Sequence, residues 1–567
     1  MKNYPLGDAP SFVNMRELVE YIDQKYSTRI AYSYRINPHD TEVQTRSFAR
    51  LCEDVRYLST ALQAHGIPAA GHCALIGKLS YGWVCTYLAV LSAGGVLVPL
   101  DPDWSAEDLA DTVTKAECTS LFCSDDVFAN KAEAIKAAAG IQTTVTIDHA
   151  ESACTLEALI EEGKALRESG DVAYEAARIQ PDKMALLVFT SGTTGKGKGV
   201  MLSQTAILSN IQAGLQLIKL DTDKTIGLLP PHHTFGSTIN ILGNLLYGVN
   251  MYISSGVRYV PNELKEQKPG HIVLVPLYLE TFYRKIMAAV KESGKEQAFN
   301  ALMQISGALS KVGVDVRRNL FKGPRAAFGG EIKLVVSGGA PLSPEIANTF
   351  EALGIRVING YGITECAPLL SANRNNQVKT GSVGKIIPNG RIKIKDPNEN
   401  GEGEICAKGP NVMLGYYKDP EATAEVFDED GYFRTGDIGK KDEDNWLYIT
   451  GRIKNLIILS NGKNVYPEEI ETELASVPGV LDVVVYEGIS KRGGEHNAIV
   501  AEIYPDPDFI KKNNITDKAA YFRPFITDFN RTAVAYKKIS VLKVRETEFP
   551  KNTLRKIKRF QIDKTID

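Results

Sequence analysis

Two periods run through the apolar positions of this chain. Phe12, Met15, Leu18 and Ile22 recur at helical spacing, and Ile30 to Arg35 then reads as a strand. Arg46 to His65 is helical again, with Gly66 placed to end it. From Gly71 strands and helices alternate: His72 to Ile76 a strand, Tyr81 to Ala93 a helix, Val96 to Leu100 a strand, Ala106 to Ala116 a helix, Ser120 to Cys123 a strand. Residues 126–180 are charged and helical, and Leu186 to Phe189 is a short buried strand. The alternation then returns, with strands at Thr225 to Leu229, Asn250 to Ser254 and His271 to Val275 around helices at Thr238 to Leu246 and Pro261 to Gln267. Such alternation calls for parallel sheet with right-handed crossovers. The expected class is α/β, with two doubly wound lobes facing each other across a cleft.

Further along, Ala288 to Ala327 is helical, amphipathic and basic, through Lys311, Arg317, Arg318, Lys322 and Arg325, which reads as a solvated face. A strand at Glu331 to Ser337, a helix at Pro344 to Leu353 and a strand at Arg356 to Asn359 follow. From Gly381 to Asp437 the texture changes. Short alternating segments (Arg391 to Lys395, Gly403 to Ala407) between Pro, Gly and Asn turns predict a small antiparallel β-barrel. A strand at Leu456 to Leu459 and a turn at Asn461-Gly462 open a region, 455–567, that reads as a separate, smaller α+β domain with a basic C-terminus. The expected division is a large domain over 1–453 and a mobile one over 455–567, joined at Lys454.

Bulk properties narrow the choice. A chain of 567 residues can hold two or more domains with large cores. A net charge of −3 argues against a general nucleic-acid binder. The eight cysteines are scattered without a CxxC pair, which favours reduced, buried thiols in a cytoplasmic protein. The N-terminus has no apolar signal core. The most apolar run, Trp83 to Leu100, is interrupted by Ser92, Gly94 and Gly95 and closed by Pro99, so a membrane span is not expected. Peripheral membrane contact stays open.

The chemistry begins after the strand Leu186 to Phe189, in Thr190-Ser-Gly-Thr-Thr-Gly-Lys-Gly-Lys-Gly199. Glycines let backbone N–H groups curl around an anion. Ser191, Thr193 and Thr194 add hydroxyl donors; Lys196 and Lys198 add charge. Gly192, four residues, Gly197 and Lys198 nearly make a P-loop, but Gly199 stands where that loop needs Ser or Thr for Mg²⁺. A flexible linker is the plain alternative, and linkers seldom follow a buried strand with paired lysines.

This segment resembles the signature loop of the adenylate-forming superfamily: acyl-CoA synthetases, luciferases and peptide-synthetase adenylation domains. Gly197 replaces the usual Pro. The resemblance extends over nearly the whole chain. Tyr361-Gly-Ile-Thr-Glu365, entered from Asn359 and Gly360, is similar to the family's Tyr-Gly-any-Thr-Glu motif. The resemblance implies Tyr361 on adenine, Thr364 at phosphate and Glu365 on Mg²⁺. Gly338-Gly-Ala-Pro341 resembles the adenine-side loop, giving Gly339, Ala340 and Pro341 as backbone contacts. Tyr432-Phe-Arg-Thr-Gly-Asp437 and Gly451-Arg452 resemble the ribose clamp, with Asp437 accepting from the ribose hydroxyls and Arg452 adding donors. Thr190, Ser191, Gly192, Thr193, Thr194, Gly195 and Lys198 would cradle the phosphates. Lys454 occupies the hinge position.

Pro550-Lys-Asn-Thr-Leu-Arg-Lys-Ile-Lys-Arg559 resembles the C-terminal motif whose lysine serves adenylation, and counting along it indicates Lys556. Arg555 stands where the motif has Gly, which leaves Lys551 and Lys558 as competitors. Leu229-Pro-Pro-His-His-Thr-Phe-Gly236 resembles the acyl-pocket motif and indicates His233.

The activity this resemblance implies is ATP- and Mg²⁺-dependent activation of a carboxylic acid to an acyl-adenylate, then transfer to a thiol. Asn461 to Glu471, Glu365 to Pro368 and the helical insert 285–330 look most like long-chain fatty acyl-CoA synthetases. A medium- or long-chain fatty acid and coenzyme A are the expected substrates. The apolar helix after His233 (Ile239, Ile241, Leu242, Leu245, Leu246) could wall an acyl tunnel or simply pack the core. No carrier domain is expected to follow residue 567, so a separate acyl carrier protein is the other expected acceptor. A fatty acyl-AMP ligase, a ligase for short-chain or aromatic acids and a non-catalytic nucleotide-binding protein are the rivals; the last would keep the loops but lose Lys556 and Glu365, and both are present. Nucleic acid is not an expected partner.

Overall fold

The computed structural model describes residues 6–67, 71–149, 154–190, 197–311, 315–459, 464–489, 498–551 and 556–566. They form two compact units. The first takes 1–192, 197–391 and 408–431; the second takes 193–196, 392–407 and 432–567.

The first unit is α/β throughout. One seven-stranded sheet runs in the order Gly415–Tyr416, Lys198–Ser203, Met184–Thr190, Leu97–Leu100, His72–Ile76, Cys118–Cys123, Thr143–Thr146. The five strands from Met184–Thr190 onward are parallel, as the strand–helix alternation requires. The run Trp83 to Leu100 is the helix Tyr81–Ser92, a turn with Gly94 at φ +79°, and the strand Leu97–Leu100. Its buried positions on every side explain why it looked uniformly apolar. Among the described residues no helix is long and apolar enough to cross a membrane. All eight cysteines are free thiols, and only Cys154 is not fully buried.

The second strand–helix repeat is divided between two sheets. Lys224–Gly227 and Asn250–Ile253 join the N-terminal strands Ile30–Tyr34 and Gln44–Ser47, while His271–Leu274 begins a five-stranded sheet with Leu334–Ser337, Arg356–Gly362, Leu369–Ala372 and Lys385–Ile386. The two sheets meet where Gly270 N–H donates to Lys224 O at 3.0 Å and Thr225 Oγ1 donates to His271 O at 3.0 Å.

Several boundaries differ from the sequence reading for identifiable reasons. The helix expected from Arg46 starts at Phe48, because Ser47 Oγ caps Arg50 N–H at 3.1 Å and Arg46 belongs to the preceding strand. The helix expected over Thr238 to Leu246 starts earlier. Phe235–Leu242 winds as a π-helix and Gly243–Leu246 continues it as α-helix. The basic insert is broken into Pro276–Glu292, Glu296–Lys311, Arg317–Leu320 and Lys322–Ala326, the first break falling at Gly294 with φ +66°.

In the second unit, Arg391–Lys395, Gly403–Lys408, Phe433–Lys441 and Leu447–Arg452 form a four-stranded sheet in that order. The expected small barrel is corrected here: among the described residues its outer strands do not pair, so the sheet stays open. Four short strands are few for the tilt and stagger that closure needs. A second sheet, Val480–Gly488, Ala498–Pro505 and Val541–Val544, buries Val483, Val485, Ile499, Ala501 and Ile503 against Phe522, Ile526 and Phe529 of the helix Lys518–Thr532. The helix Pro467–Leu474 packs on Leu447–Arg452, and Asn455 Nδ2 donates to Glu468 Oε1 at 2.5 Å. Lys454 therefore sits inside this unit, exposed, in the 3₁₀ turn Ile453–Asn455.

Candidate active site

The first unit carries three motifs at strand ends, one in the seven-stranded sheet and two on neighbouring strands of the five-stranded sheet. Thr190 and Lys198 close an antiparallel hairpin, paired across from each other. Ser191, Gly192, Thr193, Thr194, Gly195 and Lys196 lie outside the described residues, as do Asn461 and Gly462. Asn359, Gly360 and Tyr361 end the strand Arg356–Gly362, and Thr364 and Glu365 occupy the 3₁₀ turn Thr364–Cys366. Gly339, Ala340 and Pro341 are exposed after the neighbouring strand, in a turn that Gly339 permits with φ +85°.

The turn that presents Glu365 is held from behind by two buried asparagines. Asn210 Nδ2 donates to Cys366 O (3.1 Å) and Leu369 O (2.8 Å), and Asn411 Nδ2 donates to the same two carbonyls (2.9 and 3.1 Å). Leu369 N–H donates back to Asn210 Oδ1 at 3.1 Å. The Met413 N–H donates to Glu365 O at 2.8 Å. Glu365 itself is half-buried and its Oε1 accepts from the Tyr416 hydroxyl at 3.0 Å. Lys198 Nζ lies 4.5 Å from the centre of the same tyrosine ring. Tyr416, Asn210 and Asn411 were missed by motif reading. They stand 45 to 156 positions from the turn they hold, and strand pairing brings Tyr416 opposite Val200.

An apolar cavity of about 100 Å³ adjoins these loops. Gly338, Gly339, Gly360, Tyr361 and Gly362 line it together with Phe235 and Ile239, and Leu215, Ile218 and Leu220 extend the apolar wall. Of the five helical residues suspected of walling a tunnel, only Ile239 lines it; Ile241, Leu242, Leu245 and Leu246 are buried in the core. Ile211, Gly214 and Leu215 of the helix Gln204–Leu217, which carried no motif, line it as well.

His233 does not line this cavity. It is half-buried on the turn before Phe235, a turn so tight that a Cβ on Gly236 would fall 2.1 Å from Pro230 O. Its ring packs 4.3 Å from that of His232. His232 is buried, and burial pushes its pKa down to about 3, so it is neutral beside Asp101, whose Oδ2 is 3.7 Å away.

The second unit carries another group of charged residues. Asp437 and Arg452 are paired on adjacent antiparallel strands, and Arg452 Nε donates to Asp437 Oδ1 at 2.8 Å. Asp437 is buried, whereas the Arg452 side chain is half exposed. Lys556 is exposed as a residue, yet protein packed around its ammonium, with Arg452 next in effect, pushes its pKa down to about 8; Asp437 opposes the shift. Lys551 is differently placed: Nζ donates to Asp482 Oδ2 at 2.7 Å and Glu548 Oε1 at 2.8 Å, with 7% of the side chain exposed.

Among the described residues no group of three or more His, Cys, Asp or Glu side chains could hold a metal by itself. One half-buried carboxylate that shares Tyr416 with Lys198 fits Mg²⁺, which usually takes one or two carboxylates and completes its shell with phosphates and water.

Residues 19–417 match the family model described as AMP-binding enzyme. The chain is similar to a long-chain-fatty-acid–CoA ligase, FadD15, of Mycobacterium bovis, with 27% identity over 507 residues covering 83% of each chain. It is also 26% identical over 542 residues to a long-chain-fatty-acid–[acyl-carrier-protein] ligase of Arabidopsis thaliana, covering 83% of this chain and 74% of that one. Among solved structures, ATP-bound MatB from Rhodopseudomonas palustris superposes with a TM-score of 0.74 at 25% identity, over 96% of this chain and 97% of that one.

Proposed function

This chain belongs to the AMP-binding enzyme family, and we propose that it activates a medium- or long-chain fatty acid with ATP and transfers the acyl group to coenzyme A. In the first half-reaction a carboxylate oxygen attacks the α-phosphorus, and pyrophosphate leaves. In the second, the coenzyme A sulfur attacks the acyl carbon and AMP leaves with the electron pair of the broken anhydride bond. The observation that carries this reading is the continuity of the apolar cavity with the motif loops: Tyr361 and Gly360 belong to both. An acid seated in the cavity would present its carboxylate where those loops hold a nucleotide.

The residues divide the work by charge and shape. Lys198, Thr190 and the loop between them would hold the phosphates, and Thr364 would add a hydroxyl. Glu365 would hold Mg²⁺, which when bound neutralises triphosphate charge. Tyr361, Gly339, Ala340, Pro341 and Asn359 would frame adenine, and Asp437 with Arg452 the ribose. Lys556 would neutralise the carboxylate and α-phosphate as they approach. Support for Lys556 over Lys551 is that Lys551 already spends its ammonium on two carboxylates. Rotation of 455–567 about Lys454 would exchange Lys556 for the thiol between the half-reactions.

The relative that charges an acyl carrier protein supports one second reading, in which a carrier-protein thiol replaces coenzyme A. A panel of acids with ATP, with and without coenzyme A, separates the two. Pyrophosphate release shows the acid activated, and coenzyme A-dependent AMP release identifies the acceptor. Pyrophosphate release from no acid would refute the proposal.

A further inference from the structure

Two glycines in the cavity wall are not required by the backbone. Gly214 lies inside the helix Gln204–Leu217 and Gly243 inside the helical run Phe235–Leu246, and neither has positive φ. Glycine within a helix costs about 0.5–1 kcal/mol relative to alanine. A Cβ on Gly214 would meet only Leu369 Cδ2, at 3.8 Å, and one on Gly243 only Ile211 Cδ1, at 3.5 Å. Both are ordinary contacts, so close packing does not demand glycine either. Both residues line the cavity, and their missing side chains leave space in it.

The polar groups of the cavity are arranged unequally. Away from the motif loops, His271 is fully buried, with Nδ1 2.5 Å from Thr222 Oγ1 and Nε2 2.7 Å from Asn244 Oδ1. Burial pushes its pKa down to about 4. The neutral ring accepts from Thr222 and donates to Asn244, whose Nδ2 donates in turn to Asn240 O at 2.6 Å. The Tyr247 hydroxyl donates to the carbonyls of Leu215 and Ile218. These groups are occupied with one another. At the motif end, by contrast, the buried Ser337 Oγ has no hydrogen-bond partner among the described residues. The carboxyl end of a ligand suits the second environment and a methyl end the first.

Strand register sets a length. His271 is level with Leu334 on the next strand, four residues before Gly338, which is roughly 13 Å at about 3.3 Å per residue. A staggered hydrocarbon advances roughly 1.3 Å per bond, so about ten carbons span that distance. The cavity's volume of about 100 Å³ gives room for roughly seven to ten water-sized groups at about 10–15 Å³ each.

We propose that Gly214, Gly243 and Tyr247 set the acyl-chain length, shaping the cavity for a straight chain of about eight to ten carbons with its methyl end against Tyr247 and His271. This rests on the chain being an acid-activating enzyme. The test is acid-dependent pyrophosphate release over a series of straight-chain acids from short to long, with benzoate as an aromatic control. Wild type should peak at about eight to ten carbons. Gly214→Val adds a Cβ that meets nothing nearer than Leu369 Cδ2 at 3.8 Å, and it should lower the long-to-short ratio of kcat/KM by about tenfold or more, with KM for ATP unchanged. Tyr247→Ala should raise that ratio; if it does not fold, Gly214→Val alone decides. An unchanged length profile in folded Gly214→Val overturns the inference. So does preference for benzoate over every straight-chain acid, which would leave acid activation itself standing. Pyrophosphate release from no acid at all would overturn both.

Discussion

The Tyr416 hydroxyl donates to Glu365 Oε1 at 3.0 Å. Burial, and Glu365 after it, push the phenol pKa upward, so Tyr416 remains a donor across the working pH range. The ring's face also receives Lys198 at 4.5 Å. One side chain thus steadies both a proposed metal ligand and a proposed phosphate ligand. Tyr416→Phe keeps the ring and removes only the hydroxyl. It should raise the Mg²⁺ concentration needed for half-maximal ATP binding several-fold, about 1 kcal/mol for a lost hydrogen bond, and leave Mg²⁺-free AMP binding unchanged. Glu365→Gln should raise the Mg²⁺ requirement further, because an amide oxygen is a poorer ligand than a carboxylate. Equal Mg²⁺ titrations of Glu365→Gln and wild type would remove Glu365 from the metal site.

Asp437→Ala should weaken ATP binding. Arg452 occupies Oδ1, and each charge-assisted bond lost to a ribose hydroxyl costs about 1.5–3 kcal/mol, on the order of tenfold or more in affinity. Calorimetry with ATP and with 2′,3′-dideoxy-ATP tests the assignment. The variant should lose affinity for the first and little for the second; equal losses contradict a ribose contact.

Lys556→Ala should abolish acyl-adenylate formation while sparing transfer from supplied acyl-AMP to coenzyme A. The charged ammonium is the active form, and its pKa is lowered to about 8 from the ordinary 10.5. Adenylation should therefore be fully active below that pKa and decline as pH rises through it. Lys556→Arg should remove this alkaline limb. A wild-type adenylation rate in Lys556→Ala would transfer the role to Lys558 or Lys551.

Lys454→Pro should leave adenylation largely intact and slow transfer to coenzyme A severely. Proline fixes φ near −65° and restricts the residue before it, and Lys454 lies in a short exposed 3₁₀ turn. Pre-steady-state measurement of each half-reaction checks this; wild-type rates in both would exclude rotation about Lys454.

The motif segments were legible in sequence because phosphate cradling, carboxylate ligation and tight turns demand particular residue types at close spacing. The parallel strands around His72–Ile76 and Leu97–Leu100 were legible because burial on both faces leaves a continuous apolar signature. What the chain by itself determined was thus its α/β class, the order of its elements and the residue types its loops carry. Tertiary structure alone decided the rest. It split the second strand–helix repeat between two sheets, left the four-stranded sheet open, and opposed Tyr416 to Glu365 from 51 positions away. It also turned Gly214 and Gly243 toward one cavity while burying Leu242 and Leu245 in the core. Local periodicity reports which face of an element is apolar. Whether that face meets a neighbour or an empty space depends on residues far away along the chain, and no local pattern records them.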